Sequence, residues 1–136
     1  MSPMRLARQA RTLMVLGARR AQLPAIQTAL AMGLRVVAVD PDPAAPGLAL
    51  ATLAGVYDLA DLGAILKLAR AEEIDGIMTL AADYPMPTLA AVCAEMCLPG
   101  PRPQVVDAAT NKRLMRLALR AAGVPCPLSH HASNLE

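Results

Sequence analysis

The sequence has almost no aromatic residues: among its 136 residues there are two Tyr, no Phe and no Trp. It therefore lacks the aromatic platform on which proteins stack the bases of single-stranded nucleic acids. It also lacks a charge excess, because 13 basic and 11 acidic side chains give a formal net charge of +2. A surface that attracts the phosphate backbone needs a larger positive balance. We expect no nucleic-acid partner.

A long apolar run is absent as well. The longest candidate, Gly47 to Val56, is far shorter than the roughly 18 residues that a membrane-spanning helix needs. We therefore expect no contact with a membrane. Cysteines are few and odd in number, and Cys93, Cys97 and Cys126 lack the spacing of a disulfide framework. These features favour a reduced, cytoplasmic protein.

The first part of the sequence lacks acidic residues, since none precedes Asp40. Three arginines make its beginning basic, but the apolar segment that follows, residues 13–16, is too short for the core of a signal peptide. We interpret residues 1–11 as a basic, flexible tail that precedes the folded domain.

What the sequence does contain is aliphatic. Hydrophobic residues, chiefly Ala, Leu, Met and Val, make up 55% of it and charged residues only 18%. Such a chain buries enough apolar surface to offset the entropy cost of folding, so it is not intrinsically disordered. Its length suits one compact domain.

Short apolar runs alternate with helical patterns as far as Pro103. Residues 13–16 and 35–39 are apolar on both faces, which is typical of strands buried in a parallel sheet. Residues 23–32, between them, have the apolar spacing of a helix and are followed by Gly33, a residue that commonly ends helices. We predict a Rossmann-like α/β fold: a doubly wound parallel sheet of about four strands, followed by C-terminal helices.

The remaining elements follow from the same periodicities, together with chain breakers and caps. The Pro-rich connection at 41–47 predicts a loop, Asp61 is suited to cap the helix that follows it, and Thr110 is suited to cap the last complete helix. The further predicted strands cover 53–57 and 74–80, and the further predicted helices cover 61–73, 87–97, 103–108, 111–122 and the end of the chain from 134.

Four side chains directly follow two of these strands. Asp40 and Asp42 come after the second strand, and Asp83 and Tyr84 come after the fourth. Because the carboxyl ends of parallel strands form the edge where such sheets hold ligands, all four are candidates for substrate binding. Capping of the loops by the same side chains is an alternative that the sequence leaves open.

The turn after the first strand, residues 17–22, bears on dinucleotide binding. Gly17 and Asp40 stand 23 positions apart, close to the spacing of the first glycine and the ribose-binding acid in such sites. However, Arg19 and Gln22 occupy the other two glycine positions, and the long Arg19 side chain obstructs the approach of a pyrophosphate. We interpret Gly17 as a requirement of a tight turn rather than as part of an NAD site.

Lys112 lies at the start of the helix predicted at 111–122, where a positive charge opposes the helix dipole. Together with the free N–H groups of the first turn, a lysine at this place makes a corner that binds phosphate. The alternative is a solvated lysine without a ligand.

A metal site is not expected. Cys93 and Cys97 are four apart on one helix face, but no further ligand lies near them in sequence, and a buried cysteine commonly acts as a small hydrophobic residue. His130 and His131 belong to a polar tail, where exposure to solvent is their ordinary state.

A series of short motifs runs through the chain in a fixed order. They are Val15-Leu16-Gly17-Ala18, Gln22-Leu23-Pro24-Ala25-Ile26, Val39-Asp40, Asp42-Pro43, Ala45-Pro46-Gly47, Ile74-Asp75-Gly76-Ile77 with Thr79, Asp83, Leu98-Pro99-Gly100, Asn111-Lys112-Arg113-Leu114-Met115-Arg116 and Ala122-Gly123-Val124-Pro125. In this order the sequence resembles the N-terminal part of ATP-grasp enzymes, the group that includes biotin carboxylase and carbamoyl phosphate synthetase-type ligases. Arg19 stands where these enzymes usually have a glycine.

The resemblance implies a Rossmann-like pre-ATP-grasp domain over residues 12–103 and the start of the ATP-grasp module over residues 104–136. Enzymes of this family activate a carboxylate as an acyl phosphate with Mg-ATP, after which an amine or thiol attacks it. Lys112 matches a position that commonly contacts the nucleotide. Asp83 and the loop of Asp40 match the edge that lines the substrate cleft.

In the family, the lysine strand and glycine-rich loop that grip ATP, and the acids that hold magnesium, come later than residue 136. We therefore expect a truncated piece of a ligase, without catalytic residues and inactive alone, whose parent enzyme binds ATP, Mg²⁺ and a small-molecule carboxylate. Helices that normally pack on the missing module would expose apolar surface, so we expect a homo-oligomer. The alternatives are a stand-alone Rossmann-type module that binds a nucleotide or metabolite without catalysis, and an oligomerisation domain.

Overall fold

The computed structural model describes residues 10–130 and residue 132. The tail predicted at 1–11, apart from its last two residues, lies outside the described residues, as do His131 and the helix predicted from 134. The elements are β1 (Thr12–Leu16), α1 (Leu23–Ala31), β2 (Arg35–Val39), α2 (Pro46–Leu50), β3 (Leu53–Gly55), α3 (Leu62–Ala71), β4 (Gly76–Met78), α4 (Met86–Glu95), α5 (Pro103–Thr110) and α6 (Lys112–Ala121).

The strands form one parallel sheet in the order β3-β2-β1-β4, which confirms the predicted fold class. Alternate residues of β1 point to opposite faces. Met14 and Leu16 pack in a core with α3 and α4, whereas Val15 packs in a second core with α1 and α2. Helices therefore cover both faces, and the sheet is doubly wound.

The last two helices extend away from the sheet. Helix α5 packs against α4, and α6 packs against α5. Only Val106 of α5 is buried, and α6 has no buried residue. None of the described helices is long and apolar enough to cross a membrane.

The prediction of a loop at 41–47 is wrong for its last two residues, because Pro46 begins the short helix α2. Proline suits the first turn of a helix, where its missing N–H removes no hydrogen bond and its φ is already helical. The predicted cap of α3 is confirmed: the Asp61 side chain accepts a hydrogen bond from the Ala64 N–H at 3.0 Å.

The predicted cap of α6 is wrong by one residue. The Asn111 side chain accepts hydrogen bonds from the N–H groups of Arg113 and Leu114, so Asn111 is the cap. Thr110 instead ends α5, where its hydroxyl donates to the carbonyl of Val106 at 2.8 Å. Both residue types are good caps, and the choice depends on where the preceding helix ends.

Four helices, α1, α3, α4 and α6, end in the same way. In each, the second residue after the helix has a positive φ, and the N–H of the next residue donates to a carbonyl five positions earlier, which is the Schellman arrangement. Glycine adopts this backbone without strain, but a residue with a Cβ does not. The positive-φ residues are Gly33, Glu73, Cys97 and Gly123, and the closing bonds are Leu34 to Ala29, Ile74 to Ala69, Leu98 to Cys93 and Val124 to Leu119.

We predict that Glu73→Gly and Cys97→Gly each raise the free energy of unfolding by about 1 kcal/mol, because the left-handed strain at these positions disappears. The reverse changes, Gly33→Ala and Gly123→Ala, should lower it by about 1 kcal/mol and serve as matched controls. Urea denaturation followed by circular dichroism measures all four. A loss of stability in both glycine variants would contradict the assignment of strain.

Candidate functional site

The carboxylate of Asp40 lies at the end of β2 and is 2% exposed. One of its oxygens accepts a hydrogen bond from the Ala18 N–H and the other from the Asp42 N–H, both at 2.9 Å. The Nε atom of Arg19 lies 3.6 Å from the second oxygen. Asp40 thus joins the turn after β1 to the loop after β2, and this network gives Arg19 a partner within the protein.

Two glycines allow these loops to approach each other. Gly17 has φ +95°, and its N–H donates to the carbonyl of Val39 at 2.8 Å. The N–H of Gly47 donates to the carbonyl of Ala18 at 2.7 Å, and a Cβ at Gly47 would lie 2.7 Å from that oxygen and 2.6 Å from Cδ1 of Ile26. The start of α2 therefore packs directly on the turn after β1.

Asp42 continues the same loop. It is half-buried, and its side chain accepts a hydrogen bond from the Ala44 N–H at 2.9 Å. In this structure the side chains of Asp40 and Asp42 therefore cap the loops, as the alternative interpretation of the sequence expects. A substrate contact at either residue stays a prediction.

Tyr84 lies on the surface after β4, with 63% of its area exposed. Its hydroxyl donates to a carboxylate oxygen of Asp58 at 3.0 Å, and the same oxygen accepts a hydrogen bond from the Ala60 N–H at 2.9 Å. These two hydrogen bonds, first that from Ala60, lower the pKa of Asp58. The bond to Asp58 raises the pKa of Tyr84. Tyr84 thus links the loops that follow β3 and β4.

Asp83 lines a cavity of about 550 Å³ at the carboxyl end of β4. The segment after β4 forms one wall, and α5 with the residues before it forms the other. Ala81 at its edge has φ +54°, a strained conformation for a residue with a Cβ. The lining residues are Thr79, Ala81, Ala82, Asp83, Met86, Pro101, Val105, Val106, Ala109 and Thr110.

The structure does not bring the five predicted site residues into one cavity. Of Asp40, Asp42, Asp83 and Tyr84, only Asp83 lines the cavity beside β4. The contribution of α5 to this cavity was not predicted from the sequence, because nothing in the local pattern of α5 indicates which residues of another segment this helix faces. The one available indication of this cavity wall in the sequence was Thr79, which belongs to the motifs that carry the resemblance but had no role assigned to it.

Lys112 is the first residue of α6 and lines a separate groove of about 320 Å³. The cap contributed by Asn111 already occupies two N–H groups of the first turn. Among the described residues that line the groove none is acidic, so its cations repel one another unless an anion lies between them. Its lining residues are Lys112, Arg113, Arg116, Leu117, Arg120, Ser129 and His130.

The cysteines occupy three different environments. Cys93 is buried, and burial raises the pKa of its thiol. A Cβ at Gly100 would overlap the Cys93 sulfur, so this thiol fills space against the segment after α4. Cys97 is exposed and Cys126 is partly buried. Within residues 10–130, no three His, Cys, Asp or Glu side chains come together as a group of metal ligands.

Comparison with known proteins gives similarity chiefly in structure. No protein-family model matches the sequence. An uncharacterised protein, y4rH of Sinorhizobium fredii, is 36% identical over 66 residues, which are 48% of this chain and 14% of that protein.

Three solved structures illustrate the fold. Phosphoribosylglycinamide synthetase from Anaerococcus prevotii has a TM-score of 0.74 at 24% identity, over 84% of this chain and 29% of that enzyme. N5-carboxyaminoimidazole ribonucleotide synthetase from Thermotoga maritima has a TM-score of 0.73 at 21% identity, over 87% and 32%. L-amino acid ligase from Bacillus licheniformis has a TM-score of 0.72 at 23% identity, over 90% and 32%.

These neighbours belong to the ATP-grasp superfamily. The chain has the α/β fold of their Rossmann-like N-terminal domain, so the resemblance predicted from the sequence is confirmed at the level of the fold. It spans 29–32% of the length of these three enzymes.

We predict that Tyr84→Phe raises the pKa of Asp58 toward its ordinary value of about 3.9, because one of the two donors is lost. The folded pKa of Asp58 is lowered, so its contribution to stability is present above the unfolded pKa and is lost as the pH falls through the folded pKa. The stability difference between wild type and Tyr84→Phe should therefore close at acidic pH. It should also close as the pH rises through the raised pKa of Tyr84.

The measurement is an NMR titration of the Asp58 carboxyl carbon, with urea denaturation across the same pH range. Tyr57→Phe, at the other tyrosine of the chain, is the control and should leave the pKa of Asp58 unchanged. An identical Asp58 titration in wild type and Tyr84→Phe would show that the hydrogen bond does not persist in solution.

Proposed function

We propose that this chain is the N-terminal, substrate-side domain of an ATP-dependent ligase that activates a carboxylate as an acyl phosphate and joins it to an amine or thiol. The observation that carries the proposal is the fold, which is shared over 84–90% of the chain with two synthetases and a ligase. Within the proposal, residues 12–103 are the pre-ATP-grasp domain and an ATP-grasp module starts after residue 103. The proposed location is the cytoplasm, where ATP is available to such an enzyme.

Within this proposal, the carboxyl edge of the sheet serves the substrate. Asp40 and Asp42 shape the loop after β2, while Asp83 and Tyr84 stand beside the cavity at β4. All four are proposed as substrate-binding residues, the first two through the loop that they hold. No residue of the chain is assigned a catalytic role.

The nucleotide is assigned to α6. The groove beside Lys112 is lined by four cationic side chains and suits the phosphates of a nucleotide, which is the contact proposed for that lysine. One of the similar structures, N5-carboxyaminoimidazole synthetase from Staphylococcus aureus, holds ADP. When bound, Mg-ATP supplies the phosphoryl group that activates the carboxylate. No ligand for Mg²⁺ is assigned within residues 10–130, because their acidic side chains form no cluster.

Self-association is part of the proposal. Leu114 on α6 and Val124 after it expose 39% and 45% of their area. Burial of such side chains between copies removes apolar surface from water, which favours a homo-oligomer.

We predict that Mg-ADP shifts the amide NMR signals of Lys112 and Arg113 in the 136-residue chain, because the phosphates enter the groove. Lys112→Ala should weaken this binding about tenfold, as expected for the loss of one charge-assisted hydrogen bond of roughly 1.4 kcal/mol. Lys67→Ala, which removes the other lysine of the sequence from an exposed site on α3, is the control. Saturable binding of NAD at the carboxyl ends of β1 and β2, with no response to Mg-ADP, would favour the stand-alone binding module instead.

The ligase activity itself is tested on the full natural polypeptide that contains this segment. Hydroxylamine captures acyl phosphates as hydroxamates, which form coloured complexes with ferric iron, so we expect hydroxamate to form when ATP and a suitable carboxylate are both present. The 136-residue chain alone should produce none. Failure of the full polypeptide to release ADP with a broad panel of carboxylates would overturn the proposed function.

A further inference from the structure

The cavity beside β4 has the size and the lining of a small-molecule site. Its volume of about 550 Å³ falls within the range of roughly 300–1,000 Å³ that is typical of ligand pockets. Most of its wall is apolar, and Val105 and Met86 present aliphatic surface from two different elements. Such a wall fits an aliphatic body of a few carbon atoms.

The polar side chains of the cavity offer only hydrogen-bond acceptors to a ligand. The hydroxyl of Thr79 donates its proton to the carbonyl of Leu16, and the hydroxyl of Thr110 donates its proton to the carbonyl of Val106, both at 2.8 Å. A hydroxyl has one proton, so only lone pairs remain on these two oxygens. The carboxylate of Asp83 is an acceptor as well.

The charge of the lining residues also favours a ligand that carries hydrogen-bond donors. Asp83 is the one ionisable side chain among the residues that line this cavity. Within the described part of the chain, its carboxylate makes no ion pair with Lys, Arg or His. The cations of α6 line the separate groove that contains Lys112. A ligand in the cavity beside β4 therefore meets one negative charge and no positive side chain.

We propose that this cavity binds the amine partner of the ligation, as a primary ammonium group on an aliphatic body, and excludes carboxylate and phosphorylated partners. That the amine is a partner in the ligation rests on the proposed function. The preference for an ammonium group is argued from the cavity alone. An ammonium group has three donors and no acceptor, which complements Asp83 and the two threonine oxygens. The aliphatic body lies against Val105, Val106 and Met86.

The test compares two molecules of nearly equal shape and opposite charge, 3-methylbutylamine and 3-methylbutanoate, by NMR titration of the 136-residue chain. We expect saturable shifts of the amide signals of Ala81, Asp83, Val105 and Ala109 with the amine. The carboxylate should bind at least fivefold more weakly. Raising the salt concentration should weaken amine binding, and this measurement uses the wild-type chain without any variant.

Two variants test whether amine binding depends on the charge of Asp83. Asp83→Asn removes the charge from an exposed residue and should weaken amine binding at least fivefold, while Asp107→Asn, at an exposed acid of α5 outside the cavity, should change it less than twofold. Equal or tighter binding of 3-methylbutanoate or ribose 5-phosphate at the same signals would overturn the proposal. So would unchanged amine binding in Asp83→Asn, or the absence of saturable shifts in this cavity.

These outcomes are separate from those of the ligase assay. Hydroxamate formation by the full polypeptide together with carboxylate binding in the cavity would leave the proposed function intact and refute the amine preference. Amine binding that depends on Asp83, without hydroxamate formation, would do the reverse.

Discussion

The buried carboxylate of Asp40 is the contact on which the ligand edge of the sheet depends. A buried charge is costly unless its oxygens receive hydrogen bonds, and both oxygens of Asp40 receive one from the backbone. Those two N–H groups, of Ala18 and Asp42, belong to the loops that follow neighbouring strands. The need to satisfy one carboxylate therefore fixes the relative position of two loops, and with them the start of α2, which packs on Ala18 through Gly47.

Two charge environments lie on different elements of the described structure. Asp83 is exposed at the edge of the sheet, where Arg19 is already directed to Asp40, whereas four cationic side chains line the groove of α6. An amine and a polyphosphate have opposite charges and need opposite surfaces. A fold that keeps such surfaces on different elements is able to bind both without either ligand neutralising the site of the other. The proposed amine preference and the proposed nucleotide contact of Lys112 are both compatible with that separation.

The sequence predicts what depends on local periodicity and little that depends on distant contacts. The runs at β1 and β2, the cap at Asp61 and the glycine after α1 are local features, and the structure confirms them. The partners of Asp40 and the wall that α5 contributes join residues far apart in sequence, so no periodicity indicates them. The error at Thr110 has the same origin, because packing decides where α5 ends and thus which of two suitable residues caps α6.

The motifs that carry the resemblance have steric roles here, which explains why they predict the fold better than the chemistry. Gly17 supplies a positive φ, Gly47 lets a helix approach the carbonyl of Ala18, and Gly100 leaves room for the Cys93 thiol. Each is required for backbone packing whatever ligand the protein binds. A fold shared at 21–24% identity therefore indicates a shared backbone arrangement rather than a shared ligand. Side chains that face open space, such as those of Asp83 and Val105, carry no such packing requirement, so the fold alone does not determine which ligand they meet.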